Sequence, residues 1–171
     1  MKDSPTSEKE FVSLITENQA IIYKIVNLYT HTESDREDLF QEVVYQLWKS
    51  YPTFKHQSKF TTWMYRVALN TALTDFKKFQ KQKNKQDINE RILQLPEYTQ
   101  HKEIEEQIQM LYKAINQLTD IEKAIMTLYL DEYNYQEISQ IVGITETNVG
   151  VKINRIKKKL KELLTPSVYG T

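Results

Sequence analysis

The sequence has no cysteine and little glycine or proline, with only 3 Gly and 4 Pro among its 171 residues. Without cysteine the chain can form neither disulfides nor thiolate metal sites, which fits a reducing cytoplasm. The scarcity of helix-breaking residues favours a mostly helical protein. No apolar run approaches the roughly 18 residues of a membrane helix, and residues 1–11 lack the basic and apolar regions of a signal peptide. We therefore expect a cytoplasmic protein without membrane insertion.

Motifs for catalysis are also missing from the sequence. The three histidines, His31, His56 and His101, lie in unrelated segments. None of them has a carboxylate at a metal-ligand spacing such as HExxH, and there is no glycine-rich phosphate loop. We therefore expect no enzymatic activity, no cofactor and no metal.

Positive and negative charges cancel over the whole chain, whose formal net charge is +0, but they are segregated along it. Residues 77–85 contain five lysines and no acid, and residues 152–161 contain six cations and no acid. Residues 33–42 instead contain five acids and one arginine. Because clusters of one sign attract partners of the opposite sign, this pattern indicates at least two different partners.

A helix-turn-helix pattern occupies residues 134–164. Asn134 and Glu137 have the spacing of a capping box at a helix start. Gly143 suits a left-handed helix end, and Thr145 can cap the helix that follows. In that second helix the apolar residues recur in steps of four and three and predict one buried stripe: Val149, Ile153, Ile156, Leu160 and Leu163.

The polar face of this second helix carries side chains able to reach base edges or phosphates, which favours DNA contact. An ordinary helical hairpin with a solvated basic face is the alternative. The side chains concerned are Glu146, Thr147, Asn148, Lys152 and Arg155.

The N-terminal half reads as three helical segments. Residues 11–30 have the spacing of a core helix, and Ser34 can cap an acidic helix that follows. The acids of that helix start are either a solvated, well-capped turn or a docking surface for a basic partner. A long helix begins near Phe60, and its Trp63 and Tyr65 are interleaved with cations. These aromatics suit either stacking on unpaired bases or a place in the core.

Residues 80–100 are rich in Gln, Lys and Asn and predict a linker, with at most a weak helix around Ile88. Beyond it, apolar residues from Ile104 to Leu118 predict an amphipathic helix, and Thr119 with Glu122 forms a second capping box. We therefore predict an all-α protein of two small helical domains, 1–80 and 103–171, joined by a flexible linker, 81–102.

Three segments, 35–48, 60–78 and 118–164, resemble a small bacterial RNA polymerase sigma factor of the extracytoplasmic-function (ECF) group. In order along the chain they are DREDLFQEVVYQLW, FTTWMYRVALNTALTDFKK, and the segment with the core YQEISQIVGIT. The resemblance implies sigma domain two at 1–80 and sigma domain four, a helix-turn-helix, at 103–171. It implies as partners core RNA polymerase, through its β′ clamp helices and β flap, promoter DNA, and an anti-sigma factor.

The same resemblance implies roles for individual residues. The acidic helix would dock on the β′ clamp helices through Asp35, Asp38, Leu39, Gln41 and Glu42. The promoter −10 element would be read and its melted strand held by Phe54, Lys55, His56, Lys59, Trp63, Arg66, Asn70, Lys77 and Lys78. The −35 element would be read by Tyr135, Thr145, Glu146, Thr147, Asn148, Lys152 and Arg155.

Two residues depart from the pattern of this family. Gly150 and Val151 stand where many relatives have a lysine and a serine. Glycine inside a helix costs up to about 1 kcal/mol relative to alanine. Either a close approach of the backbone to DNA compensates for this cost, or one phosphate contact is missing. The alternative function is a stand-alone helix-turn-helix regulator, which would bind palindromic DNA as a dimer.

Overall fold

A computed structural model describes residues 5–78, 81 and 102–165, and in those residues all regular secondary structure is helical. The chain divides into two compact units, Met1–Leu93 and Gln94–Thr171. The prediction of an all-α protein with two helical domains is therefore confirmed for the described part of the chain. The predicted linker 81–102 and its weak helix lie almost entirely outside the described residues. None of the described helices is long and apolar enough to cross a membrane.

The N-terminal unit is built from helices whose apolar faces meet in one core. In chain order its elements are α1 (Pro5–Glu17), α2 (Gln19–Tyr29), α3 (Glu33–Ser50), a 3₁₀ turn (Tyr51–Thr53), α4 (Phe60–Asn70) and a π-helical segment (Thr71–Phe76) that continues α4. Helices α2, α3 and α4 pack against one another. Their buried residues include Ile22, Ile25, Val26, Leu39, Val43, Leu47, Met64, Tyr65, Ala68 and Leu69.

Two helix boundaries in this unit differ from the sequence-based prediction. The single helix predicted for residues 11–30 is interrupted at Asn18, whose side-chain amide donates to the carbonyl of Leu14 at 2.9 Å. Such a local side-chain bond competes with continuation of the helix. Helix α3 begins earlier than predicted, because Thr32 rather than Ser34 is its N-cap and accepts from the amide of Asp35 at 3.1 Å.

The C-terminal unit contains α5 (Lys102–Asn116), α6 (Asp120–Leu130), α7 (Tyr135–Val142) and α8 (Glu146–Leu164). Helix α8 packs against each of the other three. Its buried stripe is the predicted one except at the last position, where Leu163 is exposed. The core of this unit includes Leu118, Ala124, Ile125, Leu128, Ile138, Ile141, Val149, Ile153, Ile156 and Leu160.

The predicted helix ends of the C-terminal unit are confirmed. Thr119 with Glu122, and Asn134 with Glu137, both form complete capping boxes. Gly143 ends α7 in the left-handed conformation, with φ of 81°. A residue with a Cβ would be strained at this φ, so glycine makes the tight turn into α8 possible.

Candidate nucleic-acid interfaces

One face of α4, together with its N-cap residue Lys59, carries a stripe of four predicted −10 residues. Lys59, Trp63, Arg66 and Asn70 follow one another in steps of four, three and four, which brings them to the same side of a helix. Lys59, Arg66 and Asn70 are exposed, whereas Trp63 is half-buried. The stripe therefore combines two cations, an amide and one indole edge on a surface that solvent can reach.

The indole of Trp63 belongs to an aromatic cluster formed with Tyr51, Phe54 and Phe60. Ring centroids of Phe54 and Trp63 are 5.0 Å apart, those of Phe60 and Trp63 are 5.5 Å apart, and those of Tyr51 and Trp63 are 6.3 Å apart. Aromatic pairs at such distances attract each other, and this adds to the stabilisation that comes from burying their apolar area. The cluster thus fixes the loop after α3 against the first turn of α4.

His56 extends the aromatic cluster at its exposed edge. Its ring centroid lies 4.5 Å from that of Phe54, and the residue is exposed with φ of 54°. Lys55 beside it is also exposed. Phe54 therefore links His56 to Trp63 of the stripe, and Lys55 lies between Phe54 and His56 in the chain.

The two alternatives left open for the aromatics of α4, a place in the core or at the surface, apply to different residues. Tyr65 is only 1% exposed and belongs to the core, whereas Trp63 stays at the surface in the aromatic cluster. Tyr51 and Phe60 are absent from the predicted contacts, although both lie in the cluster. The density of aromatic residues in segment 51–63 is the sequence signal that points to them.

Lys77 and Lys78 are exposed beyond the C-terminal end of the π-helical segment Thr71–Phe76. A π-helix holds more residues per turn than an α-helix, so it rotates these two lysines relative to the stripe on α4. The sequence gives no sign of this rotation. Both lysines nevertheless lie on the same continuous helical segment as Trp63 and Asn70.

The acidic helix α3 presents part of its predicted docking set to solvent. Asp38 and Gln41 are exposed, and Asp35 and Glu42 are half-buried. Glu42 accepts from the side-chain amide of Gln46, one turn along, at 2.9 Å. Of these four residues only Asp35 lies in the first turn of α3, where an acid is favoured by the positive end of the helix dipole.

Leu39 was predicted as part of that docking set, but the structure buries it. Its side chain is 0% exposed, because Leu39, Val43 and Leu47 are spaced by four residues and form the buried stripe of α3. The side chain contacts the core of its own unit, so in this structure it cannot touch another protein. Leu39 supports the acidic surface instead of forming part of it.

In the C-terminal unit the predicted −35 residues lie at the start of α7, at the N-cap of α8 and along the first three turns of α8. Thr145 caps α8 by accepting from the amide of Asn148 at 3.2 Å. Glu146, Thr147, Asn148 and Arg155 are exposed, and Lys152 is half-buried. Tyr135, at the start of α7, is 41% exposed. The helix-turn-helix thus presents a polar, cation-bearing helix face to solvent.

Two other cations of α8 have partners within their own unit. The ammonium of Lys157 donates to the hydroxyl of Tyr129 at 2.7 Å, and this hydrogen bond raises the pKa of Lys157. The ammonium of Lys159 lies 3.4 Å from the Glu122 carboxylate and 3.2 Å from the Gln117 carbonyl. These lysines tie α8 to the preceding helices as well as adding positive charge.

Comparison with known proteins agrees with this architecture. Residues 14–82 match the family model of Sigma-70 region 2, and residues 108–160 match that of Sigma-70, region 4. RNA polymerase sigma factor SigV of Bacillus subtilis is 23% identical, covering 96% of this chain and 97% of the relative. ECF RNA polymerase sigma factor SigX of the same organism is 26% identical, covering 91% and 84% respectively.

A solved structure has the same fold. It is the sigma factor RpoE in complex with the anti-sigma factor NepR from Bartonella quintana, with a TM-score of 0.72 and 18% identity. The match covers 91% of this chain and 97% of that one. Two helical units with region 2 and region 4 sequences define an RNA polymerase sigma factor, so the chain belongs to the sigma-70 family. Within that family it is an ECF sigma factor, and sigma factors are regulatory proteins rather than catalysts.

Proposed function

We propose that this protein binds core RNA polymerase and directs initiation at promoters by reading both a −35 and a −10 element and holding the −10 region open. The observation that carries the proposal is the stripe of α4, Lys59, Trp63, Arg66 and Asn70, beside the aromatic cluster. In this proposal the N-terminal unit, 1–80, acts on the −10 element and the C-terminal unit, 103–171, on the −35 element. The protein would act in the cytoplasm, where the polymerase is.

At the −10 element the stripe offers the groups that an unpaired strand requires. Unstacking a base costs a few kcal/mol, and stacking on an aromatic ring returns about 1–3 kcal/mol per base. The exposed edge of the aromatic cluster, at Phe54, His56 and Trp63, is the proposed surface for this contact. Arg66 supplies a cation for the backbone phosphates, and the Asn70 amide can both donate to and accept from an extruded base.

At the −35 element α8 is the proposed reading helix. Its exposed N-terminal residues Thr147 and Asn148, together with Arg155 about two turns on, can reach base edges in the major groove. Lys152 and the Thr145 cap would contact phosphates and set the orientation of the helix. Tyr135, at the start of α7, would contact the backbone beside them.

The proposed polymerase contact is the acidic surface of α3, formed by Asp35, Asp38, Gln41 and Glu42. Clustered carboxylates favour a basic partner, and the β′ clamp helices are the expected one. The β flap is the proposed contact of the C-terminal unit. An anti-sigma factor is a further proposed partner, because the structural relative RpoE was solved with one.

A pull-down with sigma-free core polymerase tests the proposal. The full-length protein should bind stoichiometrically, and the double charge reversal Asp38→Lys with Glu42→Lys should abolish binding. The matched control is Glu8→Lys with Glu17→Lys, which changes the net charge equally at two exposed acids of α1. The control should still bind.

The pull-down also distinguishes the alternative function. No binding of core polymerase by the wild type, together with tight binding of the free protein to palindromic duplex DNA, would contradict the sigma function. That pair of results would instead indicate a stand-alone helix-turn-helix regulator.

A further inference from the structure

Val151 is an apolar residue on the polar face of α8. It is 41% exposed, although it is β-branched and lies in the second turn of the helix. The residues one turn before and after it on the same face are all polar and exposed: Thr147, Asn148, Asn154 and Arg155. Val151 therefore forms an isolated apolar spot within a polar surface.

The fold does not require an apolar residue at this position. The buried stripe of α8 includes Val149 and Ile153, and Val151, midway between them, is turned to the opposite side by the helical period. Valine also has lower helix propensity than alanine because of its branched Cβ. Neither packing nor helix formation accounts for Val151.

The neighbouring position leaves Val151 uncrowded. Gly150 has no side chain, and the Tyr135 ring lies where one would begin, since a Cβ at position 150 would be 3.3 Å from Cε2. No long side chain from position 150 can therefore compete with Val151 for the surface that α8 presents. The cations of α8, such as Arg155, give that surface the charge that DNA attracts.

We propose that Val151 recognises the 5-methyl group of a thymine in the −35 element. This inference rests on the proposed function, in which α8 enters the major groove. The thymine methyl is the apolar feature that a base pair displays in that groove, and it is read by apolar side chains. Val151 thus makes an A·T pair distinguishable from other pairs at one position of the element.

The test uses holoenzyme made from core polymerase and the full-length protein. A promoter library randomised at −35 is first enriched for bound sequences, and each thymine of the selected element is then replaced by deoxyuridine. Deoxyuridine keeps every hydrogen bond of the base pair and removes only the methyl. At one position the replacement should weaken closed-complex binding about fourfold, the effect of leaving one methyl-sized group unburied.

Two variants assign the effect to Val151. In Val151→Ser holoenzyme, thymine and deoxyuridine promoters should bind equally at that position. Val12→Ser is the matched control, because Val12 is also a helical valine, 55% exposed, but lies in α1 of the N-terminal unit. The control should keep the fourfold preference for thymine.

The remaining outcomes contradict either the role of Val151 alone or the proposed reading of −35 by α8 as well. A selected −35 element whose thymines can all be replaced without effect would overturn the role of Val151 and leave the sigma function intact. An unchanged thymine preference in Val151→Ser would do the same. Failure to enrich any −35 element would overturn both the role of Val151 and the proposed reading of −35 by α8.

Discussion

The phenol ring of Tyr135, at the start of α7, lies beside Gly150 in the second turn of α8, on the side where a Cβ would stand. A Cβ added to Gly150 would be 3.3 Å from Cε2 and 3.8 Å from Cδ2 of that ring. The contact joins the two helices of the helix-turn-helix. The Tyr135 ring thus lies close to the space that a side chain at position 150 would occupy.

Gly150→Ala should raise the free energy of unfolding of the C-terminal unit by up to about 1 kcal/mol, because alanine is the better helix former. The ring must shift by a few tenths of an ångström, which is easy for a side chain that is 41% exposed. Urea unfolding followed by the NMR methyl signals of buried Ile125 and Ile153 measures this unit. A loss of stability that Tyr135→Ala relieves would mean that the ring is held rigidly.

Features set by neighbouring residues were predictable from the sequence. The capping boxes at Thr119 and Asn134 and the left-handed Gly143 depend on two to four adjacent positions, so their residue types are sufficient. The start of α3 was not predictable in this way. Thr32 and Ser34 are both good caps two residues apart, and the choice depends on how the preceding chain packs.

In the candidate sites, too, local features were predictable and features that depend on helix packing were not. Helical spacing alone predicts that Lys59, Trp63 and Arg66 share a face. It cannot tell that Trp63 remains at the surface while Tyr65 is buried, because that depends on which sides of α4 are covered by α2 and α3. The contact between Tyr135 and Gly150 likewise requires the docking of two helices.

Asn134→Ala should lower the free energy of unfolding of the C-terminal unit by about 1 kcal/mol, the typical cost of losing an N-cap. The Asn134 side chain accepts from the amide of Glu137 at 2.8 Å, and alanine offers no acceptor. Asn134→Ser retains an oxygen and should be nearly neutral. Urea unfolding monitored at Ile125 and Ile153 compares the two, and equal losses would indicate that the cap is not the cause.

Glu122→Gln should destabilise the C-terminal unit by a few tenths of a kcal/mol at pH 7. The Glu122 carboxylate accepts from the Thr119 amide at 2.8 Å and pairs with Lys159 at 3.4 Å, and these interactions lower its pKa. A carboxyl whose pKa falls on folding stabilises above its unfolded pKa, and this contribution is lost as pH falls through the folded value.

The difference between wild type and Glu122→Gln should therefore begin to shrink as the pH falls to about 4.3, the ordinary pKa of a glutamate. It should disappear only below the folded pKa, which is lower. Thermal unfolding at a series of pH values, monitored by the methyl signal of Ile125, measures it. Glu106→Gln is a matched control at an exposed position of α5. A difference that stays constant from pH 7 to pH 3 would indicate that charge is not involved.

Trp63→Ala should reduce open-complex formation by roughly one to two orders of magnitude, the loss expected from one base–aromatic stack. Closed-complex binding should change little, since the duplex offers no unpaired base at that stage. Permanganate reactivity of unpaired thymines, compared at equal promoter occupancy, measures opening. Trp63→Phe keeps an aromatic face and should retain most of the activity, whereas equal reactivity of wild type and Trp63→Ala would exclude the stacking role.

Leu39→Ala and Asp38→Ala compare a buried position of α3 with an exposed one. Removing the fully buried Leu39 side chain should cost about 2–5 kcal/mol of unfolding free energy, while the exposed Asp38 should change stability by less than about 0.5 kcal/mol. Both tryptophans, Trp48 and Trp63, lie in the N-terminal unit. Urea unfolding followed by tryptophan fluorescence therefore measures the stability of that unit alone.

Polymerase binding should show the opposite order for these two variants. Under conditions where Leu39→Ala is still folded, it should bind core polymerase nearly as well as wild type, because its acidic surface is intact. Asp38→Ala should be as stable as wild type and bind less well, since it loses a charge at the interface. If Leu39→Ala were instead fully stable and unable to bind, Leu39 would have to leave the core and contact the polymerase directly.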